Sequence, residues 1–151
     1  MIMGTTFDDI LVFAIEKEKE AVELYKKMSK LAKKPNVKAM FDEFADEELT
    51  HVKVLEELDL DSLEGSPSGK VTDLKISDYL IDMEFKEDMV YQDALIFAMK
   101  REENAVKLYK YMLANAKDPK LIRLLEFMVN EEAKHKLRLE TEYDDNVLVE
   151  S

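Results

Sequence analysis

Residues 48–51 read Glu-Leu-Thr-His and residues 132–135 read Glu-Ala-Lys-His, so one Glu-x-x-His pattern occurs twice in this chain. Glu48 and Glu132 begin the two copies, and the number of residues between them is the offset of the repeat. A glutamate three positions before a histidine places both side chains on one face of a helix. The two copies therefore predict two helices that each present a carboxylate and an imidazole to the same side.

The same offset aligns other parts of the chain. It superimposes residues of matching type along both halves, namely Phe13 on Phe97, Glu18 on Glu102, Tyr25 on Tyr109, Pro35 on Pro119 and Leu55 on Leu139. A repeat of this kind predicts a duplicated helical hairpin. Each hairpin then contributes one glutamate from its first helix and one Glu-x-x-His pair from its second.

Composition favours an all-α domain. The 151 residues are 46% hydrophobic and 37% charged, with only three glycines and three prolines, which suits long helices better than a turn-rich β fold. The net charge of −12 opposes binding to a phosphate backbone, so we expect no nucleic-acid partner. The absence of cysteine excludes disulfides, thiol catalysis and a four-cysteine iron site.

Neither a leader peptide nor a membrane span is expected. Residues 1–9 lack a basic region followed by an apolar run, and no stretch approaches the ~18 uncharged apolar residues that cross a bilayer. The sequence therefore predicts a cytoplasmic protein without a membrane partner.

We predict one ferritin-like four-helix bundle over residues 1–151, with a hairpin at 7–58, a long crossover at 59–88 and a second hairpin at 89–142. The first helix should begin after Thr5 or Thr6 and run to about Lys33, and Pro35 should open the second. The crossover is long enough for the second and third helices to be parallel neighbours. A short extra helix is expected at about 77–85.

Distance along the chain decides whether the polar residues can meet. Glu18 lies almost as far before Pro35 as His51 lies after it, and Glu48 lies about one helical turn nearer. The same separations recur on the two sides of Pro119 in the second hairpin. At ~1.5 Å per helical residue, the positions of these residues along the bundle axis agree to within about one turn. One layer of the bundle should therefore contain six groups, namely Glu18, Glu48, His51, Glu102, Glu132 and His135.

Four buried carboxylates in one layer require a counter-charge, because each costs several kcal/mol when unpaired. No position of the inward stripes carries lysine or arginine, so we expect metal ions. Four glutamates and two neutral histidines sum to −4, which two divalent cations balance, as do two trivalent cations with a bridging oxide. Carboxylate-rich ligands with one imidazole per metal favour iron or manganese, although the charge balance alone would also admit zinc. The ligand set matches that of di-iron and di-manganese carboxylate bundles.

The chain resembles the ferritin-like domain of the rubrerythrin family. The resemblance is carried by all four helices, in the segments Glu18-Lys-Glu-Ala21-Val-Glu-Leu-Tyr25, Glu47-Glu48-Leu-Thr-His51, Glu102-Glu-Asn-Ala105-Val-Lys-Leu-Tyr109 and Glu131-Glu132-Ala-Lys-His135. It implies that the six residues bind two irons, with Glu48 and Glu132 as bridging carboxylates. It also implies a peroxidase or oxidase that reduces hydrogen peroxide or dioxygen, and a homodimer.

This chain departs from the rubrerythrin pattern in two respects. Typical members carry a rubredoxin domain with a four-cysteine iron, so here electrons would come from an external donor such as a rubredoxin-like protein. Many members also have an extra carboxylate where this chain has Ala105.

Residues beside the predicted ligands have two readings each. Tyr25 and Tyr109 are either ordinary core tyrosines or donors of hydrogen bonds to the ligand carboxylates. Glu47 and Glu131 are best explained as solvated glutamates, and the alternative is that each accepts the free N–H of a ligand histidine across the bundle.

Two other functions compete with a redox enzyme. The first is ferroxidation and iron storage of the bacterioferritin type, which also uses two Glu-x-x-His motifs. The short stretch after the fourth helix speaks against it, because a ferritin cage has a fifth helix there. The second is a metal-free helical scaffold, disfavoured because its buried carboxylates would have no counter-charge.

Overall fold

A computed structural model describes residues 5–63, 70–71, 79–80, 85–86 and 88–148. Four long helices dominate these ranges, and the predicted all-α four-helix bundle is confirmed. They are α1 (Phe7–Leu31), α2 (Pro35–Glu56), α3 (Tyr91–Ala114) and α4 (Pro119–Tyr143). Two short strands, β1 (Thr5–Thr6) and β2 (Lys70–Val71), pair antiparallel. A 3-10 turn at Leu60–Ser62 and a π turn at Asp144–Leu148 follow α2 and α4.

The helix boundaries follow from local sequence signals. Thr6 caps α1 by accepting a hydrogen bond from the Asp9 amide, while the Asp9 carboxylate accepts one from the Thr6 amide. Asp118 caps α4 by accepting hydrogen bonds from two amides of its first turn. Pro35 and Pro119 occupy the first helical positions, where a missing N–H costs nothing. The predicted starts of α1, α2 and α4 are therefore confirmed.

Sequential helices pack as two hairpins, α1 with α2 and α3 with α4, and α1 also packs on α3. The first half of α1 shares a hydrophobic cluster with the second half of α3, so these two helices run antiparallel. It follows that α2 and α3 run parallel, as expected. They are not close neighbours, however, because the packing between hairpins is mainly that of α1 on α3. The short helix expected at 77–85 lies largely outside the described residues.

The core has two hydrophobic clusters, one toward each end of the bundle. One cluster contains Phe7, Leu55, Met112 and Leu125, and the other contains Met28, Phe41, Leu95 and Leu139. The buried charged side chains lie in helix segments between these clusters. None of the described helices is long and apolar enough to cross a membrane.

Candidate metal centre

The structure brings all six predicted site residues together at the centre of the bundle. Each helix contributes, and the four glutamates are fully buried, with 0% of their surface exposed. The two histidines are 2% exposed. The count of residues from the two prolines therefore located these six side chains correctly. The six residues are Glu18, Glu48, His51, Glu102, Glu132 and His135.

Their ligand atoms form two overlapping groups in which all atoms lie within 4.8 Å of one another. One group contains Glu18, Glu48, His51 and Glu132, and the other contains Glu48, Glu102, Glu132 and His135. Only Glu48 and Glu132 belong to both groups. This is the geometry expected of two adjacent metal positions that share two carboxylates, each position completed by one further glutamate and one histidine.

Both histidines turn the same ring atom toward the carboxylates. His51 Nδ1 lies 3.2 Å from Glu132 Oε1 and 3.4 Å from Glu48 Oε1. His135 Nδ1 lies 3.3 Å from Glu48 Oε1 and 3.6 Å from Glu102 Oε1. The other ring nitrogen, Nε2, faces away from the four carboxylates in each case. Nδ1 is therefore the atom available to a metal.

Outer glutamates contact the histidines from the opposite hairpin. His135 Nε2 lies 3.2 Å from Glu47 Oε2, whereas His51 Nε2 lies 3.9 Å from Glu131 Oε1. The favoured interpretation of Glu47 as a solvated side chain is wrong, because it forms this hydrogen bond across the bundle. Such a contact fixes the orientation of an imidazole ligand and raises its basicity.

The two core tyrosines donate hydrogen bonds across the boundary between the hairpins. Tyr109 on α3 donates to Glu18 Oε1 on α1 at 2.5 Å, and Tyr25 on α1 donates to Glu102 on α3. Each tyrosine thus holds a glutamate of the other hairpin. Both interpretations of these residues hold, because the tyrosines are buried in the core and their hydroxyls donate hydrogen bonds to predicted ligand carboxylates.

Arg101 is a seventh charged residue of the site, and the helical periodicity does not predict it. Its guanidinium is buried among all four carboxylates. Nη1 lies 2.8 Å from Glu48 Oε2, 2.9 Å from Glu102 Oε1 and 2.5 Å from Glu132 Oε2, and Nη2 lies 3.2 Å from Glu18 Oε2. The expectation that no basic side chain neutralises the glutamates is therefore wrong.

The signal for Arg101 lies in the repeat itself. Its counterpart in the first repeat is Lys17, which turns outward and pairs with Glu20 at 3.1 Å. The residue that corresponds to Glu20 is Asn104, which carries no charge to pair with Arg101. Asn104 instead donates a hydrogen bond to the carbonyl of Tyr79. A long arginine without this surface partner can extend its guanidinium into the core.

Protonation of the site follows from burial and close charges. Burial by itself would lower the pKa of both histidines, but the close carboxylates outweigh it and raise the pKa of His51 to about 12 and that of His135 to about 9. Burial, together with the charge of Glu132, raises the pKa of Glu102 to about 7. Burial also raises the pKa of Glu48 well above its usual value, because the pull of Arg101 is smaller.

The donor atoms of the site fit metal ions, even with Arg101 present. Among the described residues, most of the buried side-chain atoms that have no hydrogen bond of normal geometry belong to the six candidate ligands. They include both oxygens of Glu48, one oxygen of each other glutamate and Nδ1 of both histidines. Buried polar groups are normally satisfied, so this cluster of unsatisfied polar atoms fits a bound cation. Carboxylate oxygens with one imidazole per group suit iron or manganese.

Aromatic side chains shield the two histidines differently. Phe44 stacks on the His135 ring, with centroids 4.0 Å apart and planes inclined by 25°. His51 instead meets the ring of Phe127 edge-on at 6.1 Å, and Phe127 is half exposed. The two halves of the site are therefore related by the repeat but differ in the aromatic side chains that cover their histidines.

The family is decided by a sequence comparison. The sequence model of the rubrerythrin family matches residues 9–143, which include all six candidate ligands and all four helices except the first two residues of α1. The chain belongs to the rubrerythrin family. Within that family a buried cluster of glutamates and histidines fits a di-iron carboxylate centre. A search of curated proteins gives no match.

Two solved structures share the fold. A Thermotoga maritima protein, provisionally assigned as a ferritin-like diiron-carboxylate protein, superimposes with a TM-score of 0.80 at 18% identity, covering 97% of this chain and 100% of its own. A hypothetical protein from Pyrococcus furiosus gives a TM-score of 0.68 at 24% identity, covering 89% of this chain and 86% of its own. At these identities the similarity establishes the ferritin-like fold alone.

Proposed function

We propose that this rubrerythrin-family protein is a di-iron oxidoreductase that reduces hydrogen peroxide or dioxygen. The observation that carries the proposal is the pair of overlapping ligand groups that share Glu48 and Glu132. Glu18 and His51 would complete one iron position, and Glu102 and His135 would complete the other. Two ferrous ions held there would supply the two electrons that, with two protons, reduce one peroxide to two waters.

The surrounding residues would position the ligands and limit access of water. Tyr25 and Tyr109 hold one oxygen each of Glu102 and Glu18, so each glutamate would bind a metal through its second oxygen. The second oxygen of Glu18 also lies 3.2 Å from Arg101 Nη2. Glu47 holds the outer nitrogen of His135, so the inner nitrogen keeps facing the carboxylates. Phe44 covers the face of the same ring.

Electrons for repeated turnover would come from a separate protein. The sequence contains no cysteine with which to hold a rubredoxin-type iron. A rubredoxin-like donor therefore remains our proposal, together with a cytoplasmic location and a homodimeric assembly. A size measurement under native conditions would distinguish a dimer from a ferritin-like cage.

Anaerobic reconstitution with Fe2+ tests this function. We expect two irons per chain and rapid oxidation of the ferrous protein, followed by absorbance, on addition of peroxide or dioxygen. A double variant, Glu132→Ala with His135→Ala, should lose iron and reactivity, while the exposed control Glu140→Ala should keep both. Fewer than two irons per chain would contradict the di-iron centre. Many irons per chain in a large shell would support the storage function instead.

Arg101 favours one second candidate, a metal-free scaffold. Its guanidinium supplies part of the counter-charge that the sequence seemed to lack, so the carboxylates are not wholly uncompensated. On this function, adding Fe2+ would leave the thermal stability of the wild type, and of the double variant Glu132→Ala with His135→Ala, unchanged. If metal binds, the wild type should instead gain stability from Fe2+ that the double variant does not gain.

A further inference from the structure

The positive charge of Arg101 belongs equally to both ligand groups. Its guanidinium contacts three carboxylates of each group, with Glu48 and Glu132 counted in both. The residue is only 7% exposed, and Nη2 has no hydrogen bond of normal geometry. A buried cation that touches every carboxylate contributes its charge to the whole site, because little solvent screens it there.

The contacts of Arg101 leave other donor atoms for metals. The Nδ1 atoms of both histidines face Glu48 Oε1, and that of His51 also faces Glu132 Oε1. Arg101 Nη1 contacts the Oε2 atoms of the same two glutamates. Glu18 Oε2 lies between the two sides, 3.2 Å from Arg101 Nη2 and 3.6 Å from His51 Nδ1. Metal binding through the Oε1 atoms is therefore compatible with the guanidinium in its place.

The guanidinium changes the charge balance of a loaded site. Two divalent cations neutralise the four glutamates when both histidines are neutral ligands, so Arg101 adds one positive charge in excess. An unpaired charge in a buried site costs several kcal/mol. A loaded site that retains Arg101 therefore favours one additional monoanion.

The ligand groups also leave coordination positions open. Each group offers four ligand atoms, one from each of its residues. Metals of oxygen-rich sites such as Mn2+ prefer octahedral coordination with about six ligands. Water or a small anion must supply the remaining ligands, and the excess charge favours an anion.

Open space borders the site on the side of Arg101. A cavity of about 700 Å³ between α1 and α3 is lined by Arg101 and Tyr109, which both contact Glu18. Ala21 and Ala105 also line it, and they occupy equivalent positions of the repeat. Their small side chains leave the space between the two helices open. The cavity thus gives a molecule of a few atoms a path toward this side of the site.

We propose that the loaded site binds one small monoanion, which enters from the cavity and is held by the excess charge that Arg101 supplies. Azide and formate belong to this class, as does hydroperoxide, the conjugate base of hydrogen peroxide. The inference rests on the proposed two-metal function, because the excess charge arises only when both metals are bound. In the metal-free protein the four carboxylates outnumber the guanidinium, so no anion should bind. Arg101 is a positioning residue, since it acts through the charge of the site.

Azide titration of the Co2+-loaded protein tests this site, because a bound anion changes the visible absorbance of Co2+ and no turnover is involved. Metal analysis first establishes two Co2+ per chain. The wild type should bind one azide per chain and the metal-free protein none. Open coordination positions alone would admit more than one azide, whereas the charge balance favours one.

A matched pair of arginine variants isolates the charge. Arg101→Gln, loaded with two Co2+, should bind azide at least about 10-fold more weakly than the wild type. Arg123→Gln, in an exposed residue of α4, should change the affinity by less than about 3-fold, because solvent and salt screen that charge. Arg101→Lys keeps the charge and should stay within about 3-fold of the wild type.

A cavity variant tests the route. Ala105→Leu narrows the space between α1 and α3, so azide association measured by stopped-flow absorbance should slow by about 5-fold or more. Its metal content should stay at two Co2+ per chain, because Ala105 is not a ligand. An unchanged association rate would overturn entry through the cavity.

The outcomes separate the anion site from the proposed function. Equal azide affinities in the wild type and Arg101→Gln would overturn the anion site, as would an Arg101→Lys variant that binds as weakly as Arg101→Gln. If Arg101→Gln does not fold, the wild type alone decides, because zero or two azides per chain contradict the charge balance. All these results leave the two-metal site standing. No Co2+ bound by the wild type would overturn the proposed function and the anion site together.

Discussion

Tyr109 donates a hydrogen bond to Glu18 across the boundary between the two hairpins, with 2.5 Å between its hydroxyl and Glu18 Oε1. The repeat-related hydroxyl of Tyr25 makes the same contact with Glu102. These two bonds connect α1 and α3, which also make the main packing contact between the hairpins. The predicted ligands are therefore fixed by residues of the opposite repeat.

Removal of this hydroxyl should weaken both the fold and the metal site. Tyr109→Phe leaves a fully buried carboxylate oxygen without its donor, so we expect the free energy of unfolding of the metal-free protein to fall by about 1–3 kcal/mol. Metal affinity should fall about 10–100-fold. Urea denaturation and a Co2+ titration measure the two effects. Tyr143→Phe, in a partly exposed residue, is the control, and an equal response of both variants would show that the Glu18 contact is irrelevant.

The shared carboxylates should matter more for metal stoichiometry than the unshared ones. Because Glu48 and Glu132 belong to both ligand groups, Glu132→Ala should eliminate both metals. Glu102→Ala removes a member of one group only, so about one metal per chain should remain. Metal analysis after gel filtration gives the counts. The same residual count in both variants would be evidence against bridging by Glu132.

The outer glutamates should have unequal effects, because their distances to the histidines differ. Glu47→Ala removes a contact of 3.2 Å and should weaken binding at the His135 group by about 10–100-fold. Glu131→Ala removes a contact of 3.9 Å and should have a smaller effect on the His51 group. Stepwise Co2+ affinities give the comparison, and a larger loss in Glu131→Ala would reverse it.

Stability of the metal-free protein should fall as pH rises from about 6.5 to about 9. The pKa of His135 is raised to about 9 by its carboxylate neighbours, so its stabilising contribution is fully present below the unfolded value of 6.5 and is lost as pH rises through 9. Thermal unfolding at successive pH values measures this loss. His135→Ala should make the fall shallower over this range, and the remaining slope should come from His51, whose pKa is raised to about 12. An unchanged slope in that variant would assign the effect to other groups.

Much of this protein is predictable from its sequence through the repeat, the number of residues separating each polar side chain from Pro35 or Pro119, and the capping residues. They predicted the four helices, the starting points of α1, α2 and α4 and the six residues that meet, because these depend on helical periodicity, on capping residues and on distance from Pro35 or Pro119. Arg101 was not predictable by the same means. It lies one position before Glu102, off the inward stripe, and only its long side chain brings the charge to the centre.

The hairpin arrangement shows a second limit. Sequence length permitted α2 and α3 to be neighbours, but the choice between neighbouring and diagonal positions depends on which faces interdigitate. Small and aromatic side chains of α1 and α3, such as Ala14 and Tyr109, belong to one cluster and bring these two helices together. The periodicity within a single helix does not indicate which helix of the other hairpin it packs against.

The inward Arg101 and the outward Lys17 occupy equivalent positions of the two repeats. In a symmetric dimer of identical hairpins every position is duplicated, so both copies would insert an arginine or neither would. Joining the hairpins in one polypeptide removes this constraint. A single substitution can then act on one half of the site, and the two halves are free to evolve different affinities and different chemistry.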